Sequence, residues 1–227
     1  MRVAALVSIL LAVLVPTLAA QDPVACEVRA HLSIPSVRVT TPPGHLGVAA
    51  IDDRDVRVTP LGHGVFHVHT EDDAERIEGT TEQSILLVLA REQRFAGVVT
   101  VAAGTAVESI EPRGPAFRAS MPVHEGVSLE RVTLTCRDLA VPTTLDPALD
   151  TTSIARGPTW RSRVPRLRIR AAADDGSSPI TLSLEPDARH RIVWVERERR
   201  AGWVRVESTL AHARVGGWAR DTDLTHP

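Results

Sequence analysis

A period of two runs through most of this chain and constrains its fold more than any other feature. Val37-Arg-Val39-Thr, Val56-Arg-Val58-Thr, Val65-Phe-His-Val68, Val98-Val-Thr-Val101, Val132-Thr-Leu134 and Leu167-Arg-Ile169-Arg alternate or cluster β-branched and apolar residues between Gly and Pro punctuation. Successive side chains of a strand point to opposite faces, so such segments bury one face and wet the other. Only Glu82 to Phe95 fits a helix, and its Ile85-Leu-Leu-Val-Leu89 run fits a buried strand equally well. The expected class is all-β, with a compact N-terminal sandwich or barrel-like domain built from many short strands.

At the N-terminus, Arg2 precedes an apolar run from Val3 to Val15, then Pro16 and Leu18-Ala19-Ala20 before Gln21-Asp22. One charge, a short apolar core and small residues at the exit describe a secretory signal peptide over 1–20; a membrane span needs about 20 apolar residues. A secreted or periplasmic protein without a transmembrane segment after cleavage is expected. Lipoprotein processing at Cys26 is the second reading, because Val24-Ala25-Cys26 partly fits a lipobox. Pro23 and Asp22 weigh against it.

All 26 basic residues are Arg, and the chain has no Lys, Asn or Tyr. Without Lys there is no Walker P-loop, no Schiff base and no Ser-x-x-Lys acylation site. Without Asn there is no N-glycosylation sequon. Residues 21–155 hold 11 Arg against 19 acids and residues 156–227 hold 14 Arg against 9, so the two halves suit different partners. Cys26 and Cys136 suit an oxidising compartment and are expected to pair, tying the first strand of the N-terminal domain to its last. A loop that long is worth about 4 to 5 kcal/mol in the chain-entropy treatment. Thr135-Cys136-Arg137 lacks the His-Gly and Ser-x-Gly-Cys context of a transpeptidase nucleophile.

Val101-x-x-Gly104-x-x-Val107-Glu108-x-Ile110 recurs as Val123-x-x-Gly126-x-x-Leu129-Glu130-x-Val132. The shared Gly suits a tight turn between strands, and the expectation is a pair of duplicated hairpins in one sheet system. Pro142 to Pro158 is rich in Pro, Thr and Asp without a sustained period, which reads as a semi-extended linker. The division is therefore 21–141, a linker at 142–165, and 166–227. Trp160, among Arg156, Arg161 and Arg163, is expected to pack on the C-terminal domain as an added strand.

In Gly62-His63-Gly64-Val65-Phe66-His67-Val68-His69, a strand would point His67, His69 and Glu71 to one face, with His63 folding back from the turn. Histidines so spaced can hold Zn²⁺ and leave a position for water, which makes a metal-dependent hydrolase using His63, His67 and His69 one alternative. His-x-His on a solvated strand face is the commoner case, and neither a His-Glu-x-x-His nor an evident general base accompanies it. Asp52-Asp53-Arg54-Asp55 and Glu71-Asp72-Asp73 read as solvated acidic loops, without the Gly and downstream Glu of an EF-hand. Gly-x-Ser-x-Gly and dinucleotide fingerprints are missing.

Gly202-Trp203-Val204-Arg205-Val206 and Gly217-Trp218-Ala219-Arg220 with Asp223-Leu224, preceded by Leu182-Ser-Leu-Glu-Pro186 and Arg191-Ile-Val-Trp194-Val, resemble a bacterial SH3-like domain over residues 166–225. The resemblance implies a small C-terminal β-barrel, and a module that in secreted proteins often binds peptidoglycan or acts as a spacer. Trp203, Arg205, Arg214, Trp218 and Arg220 are the expected ligand-binding residues, since Arg forks suit carboxylates and phosphates and aromatic faces suit sugars. Without Tyr the polyproline slot of eukaryotic SH3 domains cannot be built. Nucleic acid does not fit an exported, near-neutral chain. The expected function is a non-enzymatic envelope protein without a cofactor, binding peptidoglycan or an envelope protein, with a purely structural interaction role as the remaining alternative.

Overall fold

The computed structural model describes residues 27–41, 45–70, 78–81, 85–142 and 157–227, with the backbone alone over 30–54. The expected signal peptide at 1–20, Cys26, Glu71-Asp72-Asp73 and residues 143–156 of the expected linker lie outside the described residues. The described chain is mostly strand, as the period of two requires.

Strands β1 (Val28–Thr41), β2 (His45–Gly62), β3 (Val65–Thr70) and β4 (Glu78–Thr81) run antiparallel and close into a four-stranded barrel where Arg38 and Val39 of β1 pair with Thr80 and Gly79 of β4. Val56, Val58, Phe66 and Val68 fill its inside. The acidic run Asp52–Asp55 is not a loop: it lies within β2, where Asp55 pairs with His31 and Arg54 with Leu32. Two register shifts in β1, at Leu32/Ile34 and Ile34/Val37, bend this long ribbon enough to close it.

The described part of Glu82–Phe95 contains no helix. It forms β5 (Leu87–Leu89) and β6 (Gln93–Phe95). All three residues of β5 are buried, so both faces of that strand are covered and its sequence shows no alternation. Seven further strands lie on the two sides of a shared core: β7 (Val99–Val101), β8 (Ala106–Arg113), β9 (Ala116–His124), β10 (Val127–Leu134), β11 (Leu139–Ala140), β12 (Thr159–Ser162) and β13 (Arg166–Ile169). After them come β14 (Ile180–Leu184), the six-residue helix α1 (Pro186–Arg191), β15 (Trp194–Arg200), β16 (Trp203–Thr209), β17 (Ala213–Arg220) and β18 (Leu224–Thr225).

One sheet has the order β11-β5-β8-β9-β10-β14-β13 and the other β18-β12-β15-β16-β17-β7-β6. Strands from both sides of the expected 142–165 linker pair directly. β10 pairs with β14 through Val127↔Leu184 and Leu129↔Leu182, and β17 pairs with β7 through Ala213↔Val101 and Val215↔Val99. A single buried cluster accordingly contains Leu89, Leu134, Leu167 and Trp194 together.

The repeat does not make two hairpins of one sheet. Its second copy is the β9–β10 hairpin, but its first copy runs from β7 in one sheet to β8 in the other. What the copies share is backbone shape. Gly104 and Gly126 both take positive φ, at 78° and 71°. Ser109 and Arg131, which occupy equivalent positions, both sit in the left-handed region, at φ 51° and 56°. Each marks a register shift against β9, at Glu108/Glu111 on one side and Leu129/Val132 on the other. The duplicated feature is a bulged strand flanking β9 on either side.

The two sheets cross at a backbone bridge: Arg170 N–H donates to the Trp218 carbonyl at 2.9 Å and Trp218 N–H donates to the Arg170 carbonyl at 2.8 Å. This explains the Gly of the second Gly-Trp pair. A Cβ at Gly217 would stand 2.6 Å from both the Arg170 carbonyl oxygen and Ile169 Cγ2, and 2.9 Å from Val98 Cγ1. Gly202 serves the first pair differently, taking φ 75° in the β15–β16 turn. Gly217→Ala is therefore expected to destabilise the protein by about 1 to 3 kcal/mol or more through overpacking against backbone, read as a lowered Tm, whereas Gly216→Ala, with only Glu207 Cγ near at 3.5 Å, should cost less.

Candidate arginine-lined binding site

The site grows out of strand register. On β16 and β17, Arg205 pairs with Trp218, Glu207 with Gly216 and Thr209 with Arg214, while Val204, Val206 and Val215 turn inward and are buried. Arg214 pairs in turn with Thr100 of β7, and Thr100 with Arg94 of β6. Paired residues share a face, so Thr209, Arg214, Thr100 and Arg94 form a row across four strands.

A fourth arginine arrives through the register shift of β15 at Glu196/Glu198, which carries Arg197 beside Glu207; its Nε donates to Glu207 Oε2 at 2.6 Å. The result is a groove of about 380 Å³ lined by Arg94, Arg197, Arg205 and Arg214, with Glu207 the carboxylate in its wall and Gly216 contributing no side chain. Arg94 is held by its own turn, donating from Nε and Nη2 to the Gly97 carbonyl at 3.0 and 2.6 Å. Chemically, a concave face of guanidinium forks suits an extended ligand with carboxylate or phosphate groups.

Of the five residues expected to bind ligand, Arg205 and Arg214 line this groove and the other three sit elsewhere or are covered. The Arg220 guanidinium lies 4.1 Å from the Trp203 ring, and that of Arg170 lies 6.0 Å from it. Asp175 ion-pairs with both arginines. Trp218 neighbours Arg205 on the sheet, but Arg200 covers its ring at 4.9 Å. Trp203 and Trp218 are each 6% exposed, so their faces are not open platforms. Trp194 is fully buried. Trp160 joins the sheet through β12 opposite Trp194; its indole N–H donates to Glu196 at 2.8 Å, and its ring meets His226 at 3.8 Å and Arg199 at 4.8 Å. The hydrogen bond from Arg199, aided by that from Trp160, outweighs burial and holds the Glu196 carboxyl below its usual pKa.

Arg94 and Arg197 escaped sequence reading for different reasons. Arg94 reaches the site only because β6 and β7 add to the edge of β17. The side chain of Arg197 is placed by a register shift inside a run of charged residues, where period two carries no signal.

His67 and His69 lie on β3 and His63 in the turn before it. His63 sits exposed in the β2–β3 turn at φ 52° and lines a cavity of about 710 Å³ with Ile85, Val107 and Ser109. His67 lies 3.3 Å from Glu78 and His69 lies 3.8 Å from Glu27, their rings 6.0 Å apart. Among the described residues no three His, Cys, Asp or Glu side chains gather so as to hold one metal ion.

Cys136 packs half-buried against the core in a short turn pinned by Asp138, which accepts from the Thr135 N–H at 2.8 Å, the Thr135 hydroxyl at 2.7 Å and Gln93 at 2.6 Å. Burial raises the Asp138 pKa, but the bonds from Thr135 together with Arg91 outweigh it and leave the carboxyl below its usual value. No cysteine among the described residues is free. Among the described residues no helix is long and apolar enough to cross a membrane. No known protein family, curated protein or solved structure matches this chain.

The two arginine settings predict effects of different size on substitution. Arg220→Ala removes a cover from Trp203 and a partner from Asp175, and is expected to cost about 1 kcal/mol and shift Trp emission to longer wavelength. Arg205→Ala, on the exposed groove face, should change stability by no more than about 0.5 kcal/mol. Thermal melts followed by intrinsic fluorescence check both.

Proposed function

We propose that this is an exported, non-enzymatic protein of the cell envelope, and that the groove between β15, β16, β17, β7 and β6 binds an anionic polymer, peptidoglycan first among them. The observation that carries the reading is the convergence of Arg94, Arg197, Arg205 and Arg214 on one concave sheet face of about 380 Å³. Peptide stems ending in carboxylates offer the acceptors that planar guanidinium groups take in pairs. In this reading the SH3-like module over 166–225, named by its two Gly-Trp pairs, is extended by β6 and β7, which supply Arg94. The signal peptide at 1–20 directs the chain out of the cytoplasm, and Cys26 pairs with Cys136 in the oxidising compartment it reaches.

Two measurements test this. The mature protein is expected to pellet with purified peptidoglycan, and an Arg205→Ala, Arg214→Ala double variant to lose about tenfold or more in affinity, as removal of charge-assisted hydrogen bonds implies, with added salt weakening the wild type in the same direction. Retention of the wild type in the supernatant overturns wall binding and favours a protein partner. Independently, the intact mass of the exported, non-reduced protein should begin near Gln21 and be lower by two hydrogens than the reduced form; an alkylatable thiol would exclude the bridge.

A further inference from the structure

A second cationic site lies near the other end of the same sheet. Arg161, Arg163, Arg189, His190 and His226 line a pocket of about 390 Å³ whose lining contains no Asp or Glu side chain. Its walls are built by β12, the bend after it, α1 and the segment following β18. Backbone contacts fix them: Arg161 pairs with Thr225 and Ser162 with Leu224, and Arg163 N–H donates to the Asp223 carbonyl at 2.8 Å. Arg189 is held from the helix side, its Nη1 3.4 Å from the Arg163 carbonyl.

Nε of Arg161 and Nε of Arg189 are buried and have no hydrogen-bond partner. A buried guanidinium N–H without an acceptor is costly, and an anion at the outer guanidinium nitrogens would offset the charge of the cluster, though it would not reach these two N–H groups. Glu196, the carboxylate beside Trp160, is already engaged, accepting from Trp160 at 2.8 Å and from Arg199 at 3.0 Å.

We propose that this pocket is a binding site for a phosphate group, free or esterified. Three guanidinium groups approach from three backbone positions, which matches the several acceptor oxygens of a tetrahedral oxyanion better than the two coplanar oxygens of a carboxylate. His190 and His226 supply ring N–H donors at the rim, and His226 is steadied by its stacking on Trp160 at 3.8 Å. The site shares no lining residue with the groove of Arg94, Arg197, Arg205 and Arg214, so it stands or falls independently of the wall-binding reading.

The test is titration of the full mature chain with inorganic phosphate, and separately with glycerol phosphate, at constant ionic strength set with chloride, followed by calorimetry and amide chemical shifts. Saturable binding of one equivalent is expected, with shifts centred on Arg163, Arg189 and Thr225. Arg163→Gln, which removes an exposed charge and spares the fold, and Arg189→Gln should each weaken it by about tenfold. Arg118→Gln, on the other sheet, controls for net charge and should leave it unchanged. Binding of glycerol phosphate alone would assign the site to a phosphate ester, and equal binding of both to the phosphate group itself. Absence of saturable binding, equal weakening by Arg118→Gln, or shifts centred on Arg205 and Arg214 would each overturn the proposal.

Discussion

The rest of the described structure depends on the contact at which β17 passes over Arg170. Two backbone hydrogen bonds, at 2.9 and 2.8 Å, join the sheets there, and they form only because residue 217 has no side chain. A sheet edge left open beside that crossing would expose unpaired N–H and C=O groups. The structure occupies the edge with β7 and then β6, strands from the other half of the chain. That addition places Arg94 and Thr100 in line with Arg214. Close approach of two backbones thus dictates a glycine, the glycine permits the crossing, and the pairing beside the crossing assembles an arginine row.

Arginine also does what tyrosine commonly does at the margin of a β core. A Trp face at the edge of a sheet has to be finished by something amphipathic, and a chain with no Tyr and no Lys has Arg for the purpose. Arg220 over Trp203, Arg200 over Trp218 and Arg199 over Trp160 are three instances, at 4.1, 4.9 and 4.8 Å. Counting arginines near tryptophans therefore overstates the binding surface. The arginines of the groove stand apart from these pairs, with Thr100 as the shared cross-strand neighbour of Arg214 and Arg94.

This separates what the sequence makes legible from what it hides. Strand alternation is a local property, and Val65–Thr70 and Ala116–His124 bury alternate residues as their sequences predict. Turn glycines are equally local, and Gly104, Gly126 and Gly202 all take positive φ. Pairing between distant strands is not local. Nothing in Gln93–Phe95 or Val99–Val101 names β17 as a neighbour, and a boundary drawn from Pro and Thr content does not show that β10 and β14 pair across it. Bulges fall between these cases. Ser109 and Arg131 occupy equivalent places in the repeat, yet neither residue type favours positive φ, so the repeat was visible in its letters while its shared geometry was not. Buried β5 was ambiguous because a strand covered on both faces loses its period.

The positions of the two cationic sites on one sheet carry a consequence for avidity. From β12, beside the pocket of Arg161, Arg163 and Arg189, to β17, in the groove, the sheet order steps through β15 and β16, a distance on the order of 15 Å at the usual spacing between strands. Both sites belong to one continuous sheet whose inner face is buried, so their separation is set by backbone hydrogen bonds and not by a linker. A rigid pair of sites raises affinity for a polymer whose charged groups match that spacing and gives little to one whose groups do not, because the second contact becomes intramolecular only when the geometry allows both. With both sites occupied as proposed, two arginine clusters held three strand spacings apart would select for the repeat of an anionic polymer, a property neither cluster has by itself.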